Sequence, residues 1–202
     1  MKKIIGVDID GVITDEGDSE NNIWQKALSE YMKRTITRKR DVYNFNRAFD
    51  LSPEVIDDFF NEKLESIYWN VDPLYKAKET INFLIKRDFK VILITARDKS
   101  FRDLTVKWLK EHGIDYTELF HEKDKAPLAV EKNIELFIED NHENAVQIVN
   151  HGIKVLLMDK YHNQDLKDHD IIYRVDDWSD IRKHVLNFFK SISKSAASNK
   201  FF

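Results

Sequence analysis

Apolar and polar positions along this chain fall into two rhythms. The stretch Lys2 to Asp15, KKIIGVDIDGVITD, begins with a short β-branched-rich run around Gly6, the pattern of a strand buried in a parallel sheet. A polar loop, EGDSENN, follows. Trp24, Ala27, Leu28 and Tyr31 then recur at helical spacing, predicting a helix from about Ile23 to Lys33. Ser52 and Pro53 supply a cap residue and a first-turn proline for a second helix, with Val55, Ile56, Phe59, Phe60, Leu64 and Ile67 as its apolar stripe. Residues 16–72 therefore read as mostly helical, with no repeated strand-helix unit. They are expected to form an inserted helical cap.

From Pro73 onward helix and strand alternate. Helices are predicted near Leu74–Lys86, Phe101–Glu111, Pro127–Lys132, Glu143–Asn150 and Ser179–Phe189. The strands between them are Lys90–Ile94, a weak one at Tyr116–Phe120, Ile134–Ile138, Lys154–Met158 and Ile172–Val175. A polar loop runs to Asp170, and the tail 191–202, rich in serine, lysine and alanine, is expected to fray. Such alternation implies an α/β fold, a Rossmann-like parallel sheet in a three-layer sandwich, built from 1–15 and 73–190.

Composition narrows the setting. With 202 residues the chain can bury one core plus a small insertion. A net charge of −4 gives no general attraction to a nucleic-acid polymer. There is no cysteine, which excludes disulfides, thiolate catalysis and thiolate-bound zinc. Few apolar residues precede Asp8, and no later run is long enough to span a bilayer, so a cytoplasmic protein without a membrane partner is expected.

Polar residues gather where the strands should end. Asp8 and Asp10 follow the first, and an extended backbone would point both side chains the same way. Gly11 lets the chain turn and approach a ligand closely. Thr95, Ala96 and Arg97 end the second strand, Glu139 and Asp140 a later one, and Lys125 precedes the helix leading to that later strand. In open α/β sheets ligands bind beyond the carboxyl ends of the strands. Several carboxylates meeting there require a cation to offset their repulsion, and an all-oxygen donor set favours Mg2+.

The chemistry that fits is phosphoryl transfer through an aspartyl phosphate. Asp8 is the candidate nucleophile and a metal ligand, and Asp10 the candidate acid and base. The Thr95 hydroxyl and nearby backbone N–H groups, those of Ala96 and Gly11 among them, would hold the phosphoryl oxygens. Lys125 would balance charge at Asp8. Asp140 would complete the metal site, with Glu139 acting through water or as an alternative ligand.

VDIDGVITD, ILITAR, the Lys125 region and IEDNHEN resemble the four ordered motifs of the haloacid dehalogenase superfamily of phosphohydrolases, most nearly its 5'(3')-deoxyribonucleotidase-like subgroup. The insertion between the first and second motifs is similar in position to the C1-type caps. The resemblance implies the same roles for Asp8, Asp10, Thr95, Lys125 and Asp140, and adds the Asp10 backbone carbonyl as a metal ligand. Glu139 stands where many members have aspartate, and Lys123 competes with Lys125 for the third motif. The expected substrate is a small phosphorylated molecule, a nucleoside monophosphate or else a sugar phosphate, acted on by a monomer or homodimer. A non-catalytic phosphate-accepting module also combines acids, threonine and lysine on a parallel sheet, but without such an insertion.

Specificity would reside in the insertion. Trp24, Tyr43, Phe45, Phe49, Tyr68 and Trp69 could stack against a base or form the insertion's own core. Tyr43 and Phe45, alternating with Asn44 and Asn46 in an expected loop, are the preferred pair. Arg97 could contact substrate or pair with Asp98 or another surface acid. The basic cluster Lys33, Arg34, Arg38, Lys39 and Arg40 could steer an anion or simply be a solvated face, and no histidine is given a role.

Overall fold

A computed structural model describes residues 3–165 and 169–198, with the side chains of 193–198 excepted. Six parallel strands form its sheet: β1 (Lys3–Val7), β2 (Phe89–Thr95), β3 (Glu118–His121), β4 (Leu136–Glu139), β5 (Lys154–Met158) and β6 (Ile172–Val175), in the order β3-β2-β1-β4-β5-β6. Successive residues along each strand face opposite sides. Ile5, Val7, Val91, Leu93, Leu136 and Ile138 enter the core on one face, whereas Ile92, Ile94, Phe137, Val155 and Leu157 enter the core on the other. Helices α4 (Ala77–Ile85), α5 (Arg102–Glu111) and α8 (Trp178–Ser198) cover the first face. The second is covered by α6 (Lys125–Glu131) and α7 (His142–Val149). Gly6 faces Phe137, and a Cβ there would lie 2.4 Å from the ring. A larger residue would push β1 and β4 apart.

Between β1 and α4 the chain forms α1 (Ile23–Tyr31), α2 (Phe45–Phe49) and α3 (Pro53–Asn70). Trp24, Leu28, Phe49, Ile56, Phe59 and Ile67 give these helices a core of their own. Asn22 caps α1 by accepting the Trp24 N–H, and Asn44 caps α2 by accepting that of Arg47. The chain enters and leaves this insertion side by side. Thr14 bridges Pro73, the Asp15 N–H donates to the Asp72 carbonyl, and the Leu74 N–H donates to that of Ile13.

Three expectations change. Phe45 opens a helix instead of lying in a loop, because Asn44 caps it. Asp8 and Asp10 do not share an extended segment. The strand ends at Val7, and the Ile9 carbonyl accepts the N–H groups of Val12, Ile13 and Thr14 in a tight turn. Lys125, expected just ahead of a helix beginning near Pro127, is itself the first residue of α6, while α8 runs on to Ser198. Residues 166–168 of the loop after β5, and 199–202 of the tail, lie outside the described residues. No helix among those described is long and apolar enough to cross a membrane.

Candidate active site

β1 lies at the point where the strand order reverses. From β1 the chain moves outward to β2 and β3, then returns to β4 on the other flank, leaving a crevice above the carboxyl ends of these central strands. Register fixes what meets there. Val7 pairs with Leu93 on one side and Ile138 on the other, so Asp8, Thr95, Glu139 and Asp140 emerge at neighbouring positions. The Asp8 N–H donates to the Ile138 carbonyl at 3.0 Å, holding the first residue beyond the strand in line with the sheet.

Lys125, the first residue of α6, reaches into this crevice from below. Its Nζ lies 2.8 Å from Asp8 Oδ2 and 2.8 Å from Glu139 Oε2, and all three side chains are almost entirely buried. Lys123 is exposed, so only Lys125 presents its ammonium to Asp8. The other Asp8 oxygen accepts the Ile9 N–H at 2.7 Å, so the carboxylate is held at both ends. Glu139 is likewise fully engaged, because its Oε1 accepts the Asn141 N–H and the Asn144 side-chain amide, each at 3.2 Å.

Among the described residues one acidic group could hold a metal ion: Asp8, Glu139 and Asp140 offer oxygens within 4.8 Å of one another. Burial, with Glu139, Asp140 and Asp10 nearby, pushes the Asp8 carboxyl well above its usual value, and Lys125 only partly opposes this. Burial draws the Lys125 ammonium's pKa down, but Asp8 and Glu139 together raise it further, so it stays charged. Three buried carboxylates against one ammonium leave an excess of negative charge. Oxygen donors with that excess fit a hard divalent cation.

Gly11 makes the cluster possible. Its φ is +72°, and a Cβ would lie 2.2 Å from Asp140 Oδ2. Its N–H, expected to meet a phosphoryl oxygen, donates to Thr14 Oγ1 at 3.0 Å, and its lack of a side chain leaves space for Asp140.

Asp10 stands apart from the acidic group. Arg97 grips its carboxylate, Nη2 at 2.6 Å from Oδ1 and Nε at 3.0 Å from Oδ2, and the guanidinium lies 3.9 Å from the centre of the Tyr68 ring. Arg97 is buried and pairs with Asp10, while Asp98 caps the turn at Ser100. The Thr95 hydroxyl accepts the Arg97 N–H at 3.2 Å and donates toward Asp10 Oδ2 at 3.4 Å. Ala96 lines the cavity above.

That cavity, of about 260 Å³, runs from Asp10, Arg97 and Asp140 up into the insertion. Trp24, Tyr43, Phe45 and Tyr68 form its aromatic wall, with Arg38 from the basic cluster alongside. Phe49 instead belongs to the insertion core, and Trp69 is exposed. The wall also contains Glu16, Tyr161 and His162, none of which the sequence singled out. Burial, followed by the charges of Asp10 and Asp140, pushes the Glu16 carboxyl up to about 8 from 4.5, opposed by a hydrogen bond with Trp24 and by Lys160. All three lie in polar loops whose composition carries no signal of a site.

Residues 2–190 match the family model of the 5' nucleotidase, deoxy (pyrimidine), cytosolic type C proteins. A nucleotidase of Clostridium acetobutylicum is 31% identical over 180 residues, covering 88% of this chain and 90% of its own. A haloacid dehalogenase-like family hydrolase of Streptococcus pneumoniae superposes with a TM-score of 0.65 at 12% identity, over 93% of this chain and 98% of its own. A HAD family hydrolase of Deinococcus radiodurans, solved with bound phosphate and sodium, superposes with a TM-score of 0.64 at 15% identity, over 92% of this chain and 96% of its own. At these identities the structural likenesses establish the fold alone.

Proposed function

The chain belongs to the family of 5' nucleotidase, deoxy (pyrimidine), cytosolic type C proteins, and from that premise we propose that it hydrolyses nucleoside monophosphates through an aspartyl phosphate formed on Asp8. It is a phosphoric monoester hydrolase; the base-bearing substrate and the covalent route are the proposal. The observation that carries it is the Lys125 ammonium held 2.8 Å from both Asp8 and Glu139, beneath a cavity walled by aromatic rings. Stacking on those rings favours a nucleobase over a bare sugar.

In the proposed reaction an oxygen of Asp8 attacks phosphorus, the bond to the ester oxygen breaks, and the leaving alkoxide takes a proton from Asp10. Water then attacks the acyl phosphate, Asp10 accepts its proton, and inorganic phosphate departs as Asp8 is regenerated. Lys125 and the Ile9 N–H hold the Asp8 carboxylate before attack, which removes an orientational cost from the first step. Arg97 aims Asp10 through its two-point grip. The Thr95 hydroxyl, Lys125 and the N–H groups following β2 stabilise the phosphoryl oxygens.

Asp8, Asp140 and the Asp10 carbonyl would hold Mg2+, leaving Glu139 as the partner of Lys125 outside the metal's direct ligands. When bound, the metal supplies positive charge that offsets the acidic cluster and the phosphoryl oxygens. Phosphate release is measured across deoxyribonucleoside, ribonucleoside and sugar monophosphates, with and without EDTA, for the native protein and Asp8→Asn. Nucleoside monophosphates are the expected preferred substrates, with turnover abolished by EDTA and by the substitution. Turnover that survives Asp8→Asn refutes the covalent route, and a preference for sugar phosphates refutes the substrate assignment.

A further inference from the structure

The turn after β5, Tyr161–Asn163, touches both halves of the site, yet neither the proposed reaction nor the sequence motifs use it. Toward the core, Asn163 is fully buried, and its side-chain amide donates to the Asp140 carbonyl at 2.7 Å and to the Met158 carbonyl at 2.8 Å. Its Oδ1 accepts the Lys160 N–H at 3.2 Å and Arg174 Nη1 at 3.0 Å. The turn is therefore fastened to the backbone of Asp140. His162 Nε2 lies 3.3 Å from the Asp140 carboxylate, but without hydrogen-bond alignment, and this nitrogen has no hydrogen-bond partner among the described residues. It is a contact that a small shift would complete or break.

Toward the insertion, the Tyr161 hydroxyl accepts Asn22 Nδ2 at 3.2 Å and Arg38 Nη2 at 2.7 Å. The Arg38 guanidinium also lies 4.3 Å from the centre of the Tyr161 ring, and Tyr43 packs edge-on against His162 at 5.3 Å. Three insertion residues, from the start of α1 and the segment before α2, thus converge on two adjacent core side chains. Of these two, His162 borders the Asp140 carboxylate, and Tyr161 packs edge-on against His162 at 5.1 Å.

We propose that Tyr161–Asn163 is a joint coupling the insertion to the acidic cluster: Tyr161 seats the insertion, and His162 is a positioning residue that relays the seating to Asp140. A substrate that draws the insertion down would then also set Asp140. Coupling of this kind requires one element whose arrangement both regions bias, and the turn is the element both touch. The inference builds on the proposed role of Asp140 as a metal ligand, but its main test needs no metal.

Hydrogen exchange is compared in metal-free native protein, Tyr161→Phe and Arg38→Met, which remove the seat from the core side and from the insertion side. The expected result is exchange faster by about fivefold or more in two separate segments, 36–49 of the insertion and 138–145 around Asp140, in both variants. Acceleration confined to 36–49 overturns the coupling, and so does acceleration spread evenly over the chain, which would mark simple destabilisation. Mn2+ affinity, measured by calorimetry, separates the premise from the inference. Tyr161→Phe should weaken it by about fivefold, and should add nothing further in a His162→Gln background. Native affinity in Tyr161→Phe overturns the relay. Native protein that binds no Mn2+ refutes the metal reading, and exchange then decides whether the joint exists.

Discussion

Glu16→Gln tests the electrostatics of the cavity with little change in shape. Burial and the neighbouring Asp10 and Asp140 push the Glu16 carboxyl from 4.5 to about 8. Because the folded value is the higher one, the carboxyl's contribution to stability is complete below about 4.5 and is lost as pH rises through about 8. A displacement of that size corresponds to at most about 5 kcal/mol, at about 1.4 kcal/mol per pH unit. Glu16 is only partly buried, however, so solvent would screen it, which brings the expected loss to about 2 kcal/mol. Glutamine has no charge to acquire. Urea unfolding in EDTA at pH 5 and pH 9 should therefore show the variant gaining about 2 kcal/mol on the native protein between the two, or about 4–8 °C in Tm. Asp8 titrates in both proteins and largely cancels in the difference. Stability profiles that run parallel from pH 5 to 9 would refute a buried, repelled Glu16.

Other substitutions test the remaining parts of the site. Lys125→Met strips Asp8 and Glu139 of their shared cation, and should cost about 3–5 kcal/mol of stability near neutral pH, as removal of one partner from a buried pair does. Urea denaturation should find that cost smaller at pH 5, where the freed acids protonate more readily. Gly11→Ala sets a Cβ 2.2 Å from Asp140 Oδ2 on a backbone with positive φ, so it should destabilise by about 1–3 kcal/mol and weaken divalent-cation binding in calorimetry. Arg97→Lys keeps the charge but loses the two-point grip on Asp10, and should lower kcat by about tenfold or more with a smaller change in KM.

The fold could be read from the chain because the inner strands β1, β2, β4 and β5 are apolar on both faces, and the breaks between them fall at turn residues. The strands at Lys154–Met158 and Ile172–Val175 occupy the expected positions to the residue. The errors have local causes. Phe45 was expected in a loop because two asparagines flank it, yet Asn44 is the cap that starts α2. Lys125 was expected ahead of a helix beginning near Pro127. It instead opens α6, with the proline in the first turn, where no backbone donor is needed. Strand period was the wrong rule for Asp8 and Asp10, since it stops at Val7 and a turn sets Asp10.

The candidate site divides along the same line. Asp8, Thr95, Glu139 and Asp140 could be found because a parallel sheet carries the end of every central strand to one edge, so an acid or hydroxyl after an apolar run already has an address. Glu16, Tyr161 and His162 have none. They sit in loops, whose paths depend on what the insertion packs against. Only the folded chain shows Arg38 on Tyr161 and Tyr43 on His162. Arg97 lies between the two cases. Its position after Thr95 marks it, but leaves open substrate contact or a pair with Asp98 or another surface acid; in the folded chain it pairs with Asp10, its guanidinium over the ring of Tyr68 from α3. In the proposed reaction the strand ends would thus decide which bond is attacked, through short-range register. The insertion, which would select the substrate, is seated through contacts spanning more than a hundred residues, from Asn22 to Tyr161, and a local pattern cannot encode these. Substitutions in the Tyr161–Asn163 turn should therefore alter specificity and metal affinity together, whereas changes confined to the outer aromatic wall should alter specificity alone.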